Sequence, residues 1–297
     1  FRHGLHVITE KPAGVYTMQV REMNRAAAAS GRVFGIMYNQ RTNPVYQKLR
    51  EMIQRGELGH IKRVTWIITD WYRPQAYHDS STWRSTWKTE GGGALINQNP
   101  HQLDLWQWIC GVPNRVYAKC VYGSHRNIIV ENDVTVVTEY PNGATGSFIT
   151  CTHDPIGTDR LEIDLTGGKI VVDDSRKATV YRLNKDENEM NASMSMMEVA
   201  RLTMGNSAGG LYTTEEFENT DGWGMQHITV MEDFALHILE GRPLLAPGSD
   251  GINGVNLANA ILLSSWLGKE VENPVDEDVY LAELNKKIAE EGKFPTR

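Results

Sequence analysis

Leu5-His6-Val7-Ile8-Thr9-Glu10-Lys11-Pro12 is the stretch on which the reading of the fold turns. It follows Gly4, a residue suited to ending a helix, and its short apolar, β-branched centre predicts a buried strand. Residues 18–30 then place apolar or small side chains at Met18, Met23, Ala26, Ala27 and Ala29, with Gly31 where a C-cap belongs. Val33-Phe34-Gly35-Ile36-Met37 forms a second apolar run. Strand, helix and strand in this order make the βαβ unit of a parallel sheet. Parallel sheets are covered on both faces and normally hold more than two strands. The expectation is therefore an α/β domain remnant at residues 1–38, with further strands upstream in the native product or supplied by a partner. A phosphate-cradling G-x-G-x-x-G turn would follow the first of those strands, and no stretch of this chain matches it.

From Asn39 onward the texture changes. Residues 44–55 read as a helix, with Val45, Leu49, Met52 and Ile53 at helical spacing and Gly56 beyond the end. Strands are predicted at 64–72, 116–122, 134–140, 145–152, 161–165 and 169–172. Tight connectors stand at Pro141-Asn142-Gly143 and Thr166-Gly167-Gly168. Leu161, Ile163 and Leu165 alternate with Glu162 and Asp164, giving one buried and one wet face. Helices return at 225–239, 255–267 and 279–290, and residues 183–224 read as an irregular polar excursion. The fold class is α/β plus α+β. A C-terminal remnant of a βαβ nucleotide fold precedes an open, mostly antiparallel sheet with helices on one face, spanning residues 39–297.

Composition narrows the function classes. A hydrophobic fraction of 40% and a charged fraction of 23% are those of a soluble globular protein. A net charge of −7 without long like-charge runs argues against nucleic acid or an anionic membrane as partner. Cys110, Cys120 and Cys151 lack C-x-x-C spacing and read as reduced structural thiols in a cytoplasmic protein. His101, His153 and His227 lack metal-ligand spacing, so no catalytic metal is expected.

The chemistry-bearing landmarks are Glu10-Lys11-Pro12, Trp83-Arg84, Gly91-Gly92-Gly93, His101 and Asp104, followed by Gly254-Val255-Asn256-Leu257-Ala258-Asn259-Ala260 and Ser264 to Lys269. Together they resemble the Gfo/Idh/MocA oxidoreductase family over essentially the whole chain. The resemblance implies a dinucleotide-binding Rossmann domain, most of it lacking here, joined to a substrate-binding and oligomerisation domain. It implies an NAD(P)-dependent dehydrogenase acting on a secondary hydroxyl or ketone of a sugar or cyclic polyol. It also implies a homo-oligomer packed through the open sheet face. NAD or NADP would be held mainly by residues absent from this chain, assisted by Glu10, Lys11, Pro12, Trp83 and Arg84.

Oxidising a secondary alcohol removes a hydride from carbon and a proton from oxygen. A neutral imidazole suits the second task, which makes His101 the candidate base. A cation beside the hydroxyl favours the developing alkoxide, and Lys11, at a strand's carboxyl end, can supply it. Asp104 lies one helical turn after His101, placed either to orient its ring or to favour a helix start. Tyr72, Arg73, His153 and Asp154 follow strand ends and are substrate-side candidates, as are Trp223 and His227 at a helix start. The aromatic crowd Trp66, Trp71, Tyr72, Tyr77, Trp83 and Trp87 suits sugar faces, a core or an interface.

In the commoner family pattern an Asp stands four residues before the His and a Gly two before it. Here those positions are Asn97 and Asn99. Asn cannot hold charge, but Asn97 can hydrogen-bond substrate or orient His101. Pro100 allows two geometries: a helix beginning with Asn99 as N-cap, or a longer helix kinked there. The alternatives to a dehydrogenase are a non-catalytic sheet protein and redox-neutral glycoside chemistry within the same family.

Overall fold

The computed structural model describes residues 1–205, 210–222 and 224–291. At its N-terminal end β1 (Val7–Thr9) and β2 (Phe34–Ile36) pair in parallel, Val7 opposite Phe34 and Thr9 opposite Ile36. The connecting helix α1 (Thr17–Ser30) is closed by Gly31 in the left-handed conformation, which a glycine adopts without steric cost. The strand–helix–strand unit is thus present as a two-stranded sheet.

A 3-10 turn at Asn39–Thr42 leads into α2 (Pro44–Gln54). Asn43 sets the start of α2 by accepting from the Val45 amide at 3.0 Å, with Pro44 in the first turn where its missing N–H costs nothing. Next come β3 (Ile61–Ile68), α3 (Gln75–Asp79), α4 (Ala94–Asn97) and α5 (Pro100–Cys110). The sheet then builds through β4 (Arg115–Tyr122), β5 (Glu131–Glu139), β6 (Thr145–Cys151), β7 (Asp159–Leu165), β8 (Gly168–Asp173) and β9 (Lys177–Leu183). After α6 (Glu187–Ser193), α7 (Met196–Thr203) and β10 (Tyr212–Glu218), the chain ends in α8 (Met225–Glu240), α9 (Gly251–Leu267), β11 (Val271–Glu272) and α10 (Glu277–Glu291).

The nine strands lie in the order β10-β9-β8-β7-β3-β6-β5-β4-β11, antiparallel throughout except for β3 beside β6. The turns at Pro141–Gly143 and Thr166–Gly167 close the β5–β6 and β7–β8 hairpins as expected. No hairpin joins β6 to β7. β3 fills that gap, and its continuation bonds to the connecting loop through the Thr69 amide and the Thr158 carbonyl at 2.7 Å. The predicted strand 64–72 is shorter at its end because Thr69 to Tyr72 leave the ladder there.

Alternate residues such as Val64, Trp66, Val134, Val136 and Phe148 point to the side covered by α2, α5 and α9. Phe148 stacks on Trp106 at 5.2 Å and meets Trp66 edge-on at 6.4 Å. The opposite face is open, with Tyr117 and Val137 half exposed. Trp66 and Trp87 belong to the core, so the aromatic crowd divides between core and site.

The excursion at 183–224 needs correcting. It contains two helices and the edge strand β10, paired to β9 from Tyr212↔Leu183 to Glu218↔Lys177. Its polarity follows from lying at a sheet edge, and Ser195 with Glu198 forms a full capping box at the start of α7. All three cysteines are free. No helix is long and apolar enough to cross a membrane.

One buried ion pair ties these parts together. Arg41 grips Asp104 of α5 through two bonds of 2.6 and 2.8 Å, reaches Asp250 at 2.8 Å, and donates to the Leu245 carbonyl at 3.1 Å. Its guanidinium also lies over the rings of Tyr38 and Trp108. Asp104 therefore turns towards Arg41, neither orienting His101 nor serving chiefly as a helix-start charge. Asp104→Ala is expected to destabilise the fold by about 3–5 kcal/mol, because it strands a buried guanidinium. Urea denaturation at neutral pH measures this.

Candidate active site

Gly91-Gly92-Gly93 is where the first 38 residues meet the sheet. At Gly91, with φ of 82°, an added Cβ would stand 2.2 Å from the Val15 side chain. At Gly93 it would stand 2.0 Å from the Glu131 carbonyl oxygen. Close approach thus demands glycine at both positions. The carboxylate of Glu131 accepts from the Gly93 amide at 2.9 Å and from the Leu95 amide at 3.0 Å, capping α4. Burial pushes its pKa up to about 7, against the opposing pull of those backbone donors.

The far end of α4 is Asn97, whose backbone carbonyl accepts a 2.8 Å hydrogen bond from Lys11 Nζ. Lys11 follows β1, and its peptide bond to Pro12 is cis. Burial lowers the Lys11 pKa and nearby Arg73 adds to this, while Glu10 and Glu90 oppose it. Glu10 is exposed and accepts from the Lys11 amide at 3.3 Å.

Pro100 opens a separate helix with Asn99 before it, the first of the two expected geometries. Asn99 does not cap with its side chain. It donates instead to the Ala94 carbonyl at 3.1 Å and accepts from the Thr150 hydroxyl at 3.2 Å. Asn97 and His101 thus sit on different helices. The His101 ring meets Tyr38 edge-on at 6.4 Å. Burial first, then Lys11 and His227, bring its pKa down to about 3, so the imidazole is neutral at any ordinary pH. The expectation of a pKa near the working pH is corrected accordingly. His101 Nδ1 is buried without a partner. His227, on α8, lies 3.2 Å from the Asn39 amide nitrogen. Trp223 lies outside the described residues.

A polar web surrounds Asn97. Its amide donates to Glu90, and its Oδ1 accepts from Tyr77 at 3.4 Å and Gln98 at 3.2 Å. Arg84 donates to the Tyr77 hydroxyl at 2.6 Å, with its guanidinium 4.4 Å from the Tyr77 ring and 4.3 Å from the half-exposed Trp83 ring. Glu90 thereby places a carboxylate where Asn97 has none, and burial raises its pKa. Sequence reading missed Glu90, Gln98, Glu131 and Asn39. Only the position of Glu90 immediately before the glycine triplet offered a hint.

The other candidates fall around this centre. Arg73 lies over Trp71 and Tyr77, and Arg126 over the exposed Tyr72. His153 pairs with Asp133 at 3.0 Å and faces the His125 ring. Asp154 is engaged by the Thr69 hydroxyl and the Ile156 amide, which shape its loop, and is not brought into contact with Lys11. Among the described residues no group of three His, Cys, Asp or Glu side chains is set to hold a metal.

Residues 46–171 match the family described as the GFO/IDH/MocA C-terminal domain. The chain belongs to the Gfo/Idh/MocA family. Among Gfo/Idh/MocA relatives it is 25% identical to D-glucoside 3-dehydrogenase of Escherichia coli over 91% of this chain and 73% of that one. It is 29% identical to trans-1,2-dihydrobenzene-1,2-diol dehydrogenase of Bos taurus over 50% of this chain and 42% of that one. Matches to three curated relatives at 29% to 31% identity span only 26% to 42% of their lengths. The structure of levoglucosan dehydrogenase with NADH and levoglucosan shares the fold. It has a TM-score of 0.73 and 20% identity over 92% of this chain and 75% of that one.

The Glu131 cap generates a pH-dependence with a definite sign. Its folded pKa of about 7 exceeds the ordinary 4.5, so the folded state holds the proton more tightly. That contribution is complete below pH 4.5 and is lost as pH rises through 7. Glu131→Gln removes the titration. Relative to the native protein, its unfolding free energy is expected to gain about 3 kcal/mol between pH 4.5 and 8. Paired urea titrations across that range measure the difference.

Proposed function

We propose that the protein is the catalytic part of an NAD(P)-dependent dehydrogenase. It would move a hydride between a nicotinamide cofactor and a secondary hydroxyl or ketone of a sugar or cyclic polyol. The observation that carries this reading is the meeting of Lys11, at the end of a parallel strand, with Asn97 and His101 of the sheet region. Residues 1–38 form the cofactor side, as part of a Rossmann unit, and residues 39–297 the substrate and oligomerisation side. D-glucoside 3-dehydrogenase and levoglucosan dehydrogenase, both similar to this chain, support the substrate class.

The residues suit a nicotinamide. Lys11 and Asn39 follow adjacent parallel strands at their carboxyl ends, where α/β sheets bind ligands. Unpartnered buried atoms at His101 Nδ1 and Asn39 Oδ1 offer hydrogen-bonding capacity there. Glu10, Lys11, Pro12, Trp83 and Arg84 would hold the cofactor, which when bound accepts or delivers the hydride. Lys11 donates to the substrate oxygen and stabilises its negative charge, while the neutral ring of His101 takes the hydroxyl proton. Each cation disfavours the other, so the pair carries a proton at one site at a time. Asn97 fixes Lys11 through its carbonyl, and Tyr72, Arg73 and His153 flank the substrate side. A second copy would pack on the open sheet face around Tyr117 and Val137.

Lys11→Ala and His101→Ala in the full-length protein are each expected to lower kcat with a sugar or inositol substrate by about 100-fold or more. Steady-state assays following nicotinamide absorbance measure this. Unchanged turnover in both variants would overturn the assignment.

A further inference from the structure

Arginines across this fold are paired with acids: Arg41 with Asp104 and Asp250, Arg160 with Glu162 and Asp173, Arg182 with Glu57 and Glu215. Arg73 and Arg126, beside the candidate site, depart from this pattern. Neither makes an ion pair among the described residues, in a chain whose net charge is −7. Arg73 Nη1 donates only to the Tyr72 carbonyl, and its Nε is buried without a partner. Arg126 donates to the carbonyls of Arg73 and His125, and its Nη2 is likewise buried and unpartnered.

Both are held in place. The Arg73 guanidinium lies 5.1 Å from the Tyr77 ring, and that of Arg126 lies 5.2 Å from the Tyr72 ring. The Arg126 Nε bond to the Arg73 carbonyl, 2.7 Å long, links the two segments. Tyr77 also bonds to Asn97, so the pair adjoins the Lys11 contact, and Arg73 is close enough to disfavour charge on Lys11. A guanidinium fixed by its face keeps its in-plane N–H fork free, and that fork matches a carboxylate or phosphate. Leaving buried donors unsatisfied costs free energy that an anion would recover.

We propose that Arg73 and Arg126 form an anion-recognition site beside Lys11, selecting a sugar or polyol that bears a carboxylate or phosphate group. This rests on the dehydrogenase reading for the sugar and on the paired arginines alone for the acid. It makes both arginines specificity residues that touch the substrate away from the reacting carbon.

Isothermal calorimetry on the full-length protein with D-glucose, D-glucuronate and D-glucose 6-phosphate tests it, because equilibrium binding is read without turnover. At least one acidic probe is expected to bind about 10-fold or more tighter than glucose, as a charge-assisted pair implies. Which one binds identifies carboxylate or phosphate as the group read. Arg73→Gln and Arg126→Gln are each expected to abolish that preference while leaving glucose binding unchanged, and Arg73→Lys to restore part of it. Should Arg126→Gln fail to fold, Arg73→Gln decides alone. Equal binding of acidic and neutral probes, or a preference that survives both substitutions, overturns the proposal. Loss of turnover in the Lys11 and His101 variants is independent of either outcome.

Discussion

The buried pair between Arg41 and Asp104 is the constraint on which the rest depends. Arg41 sits in the 3-10 turn directly after the parallel strands, Asp104 in α5, and Asp250 immediately before α9. One guanidinium thus holds three segments that share no sequence neighbourhood. His101 stands three residues before Asp104 and Asn39 two before Arg41, so both ends of the site hang from this contact. Such a pair gives little net stability against an apolar equivalent, but removing half of it is severe. Its value lies in allowing one arrangement of α5 against the first 38 residues.

Much of the architecture was legible because local rules agreed with the global fold. Pro44 and Pro100 opened helices, Gly31 closed one, and Asn142-Gly143 and Thr166-Gly167 turned hairpins where the residue chemistry demanded it. What failed was non-local. The insertion of β3 between β6 and β7 is fixed by packing of Trp66 and Phe148, which no adjacent residue signals. β10 was hidden because an edge strand carrying Glu215, Glu216 and Glu218 lacks the apolar alternation of a buried one.

The site divides in the same way. Lys11 and His101 stood out by residue type and by their place relative to strand and helix. Glu90 and Glu131 did not, because their roles arise from chain segments folded against α4. Asp104 misled for the same reason: spacing placed it near His101 along the helix, while its partner lies 63 residues away. The web around Asn97 explains how a neutral amide can occupy that position, since Glu90 supplies a carboxylate at its nitrogen.

Lys11 belongs to the first 38 residues, and the carbonyl it binds belongs to the sheet region. The same boundary is crossed by Val15, wedged against Gly91 and held through its carbonyl by Asn259 at 2.9 Å. Separating the two parts would break the ammonium's contact and rehydrate Lys11 in one movement. The lysine thereby doubles as a latch whose acidity reports whether the cleft is shut, tying proton chemistry to the mechanical state of the molecule.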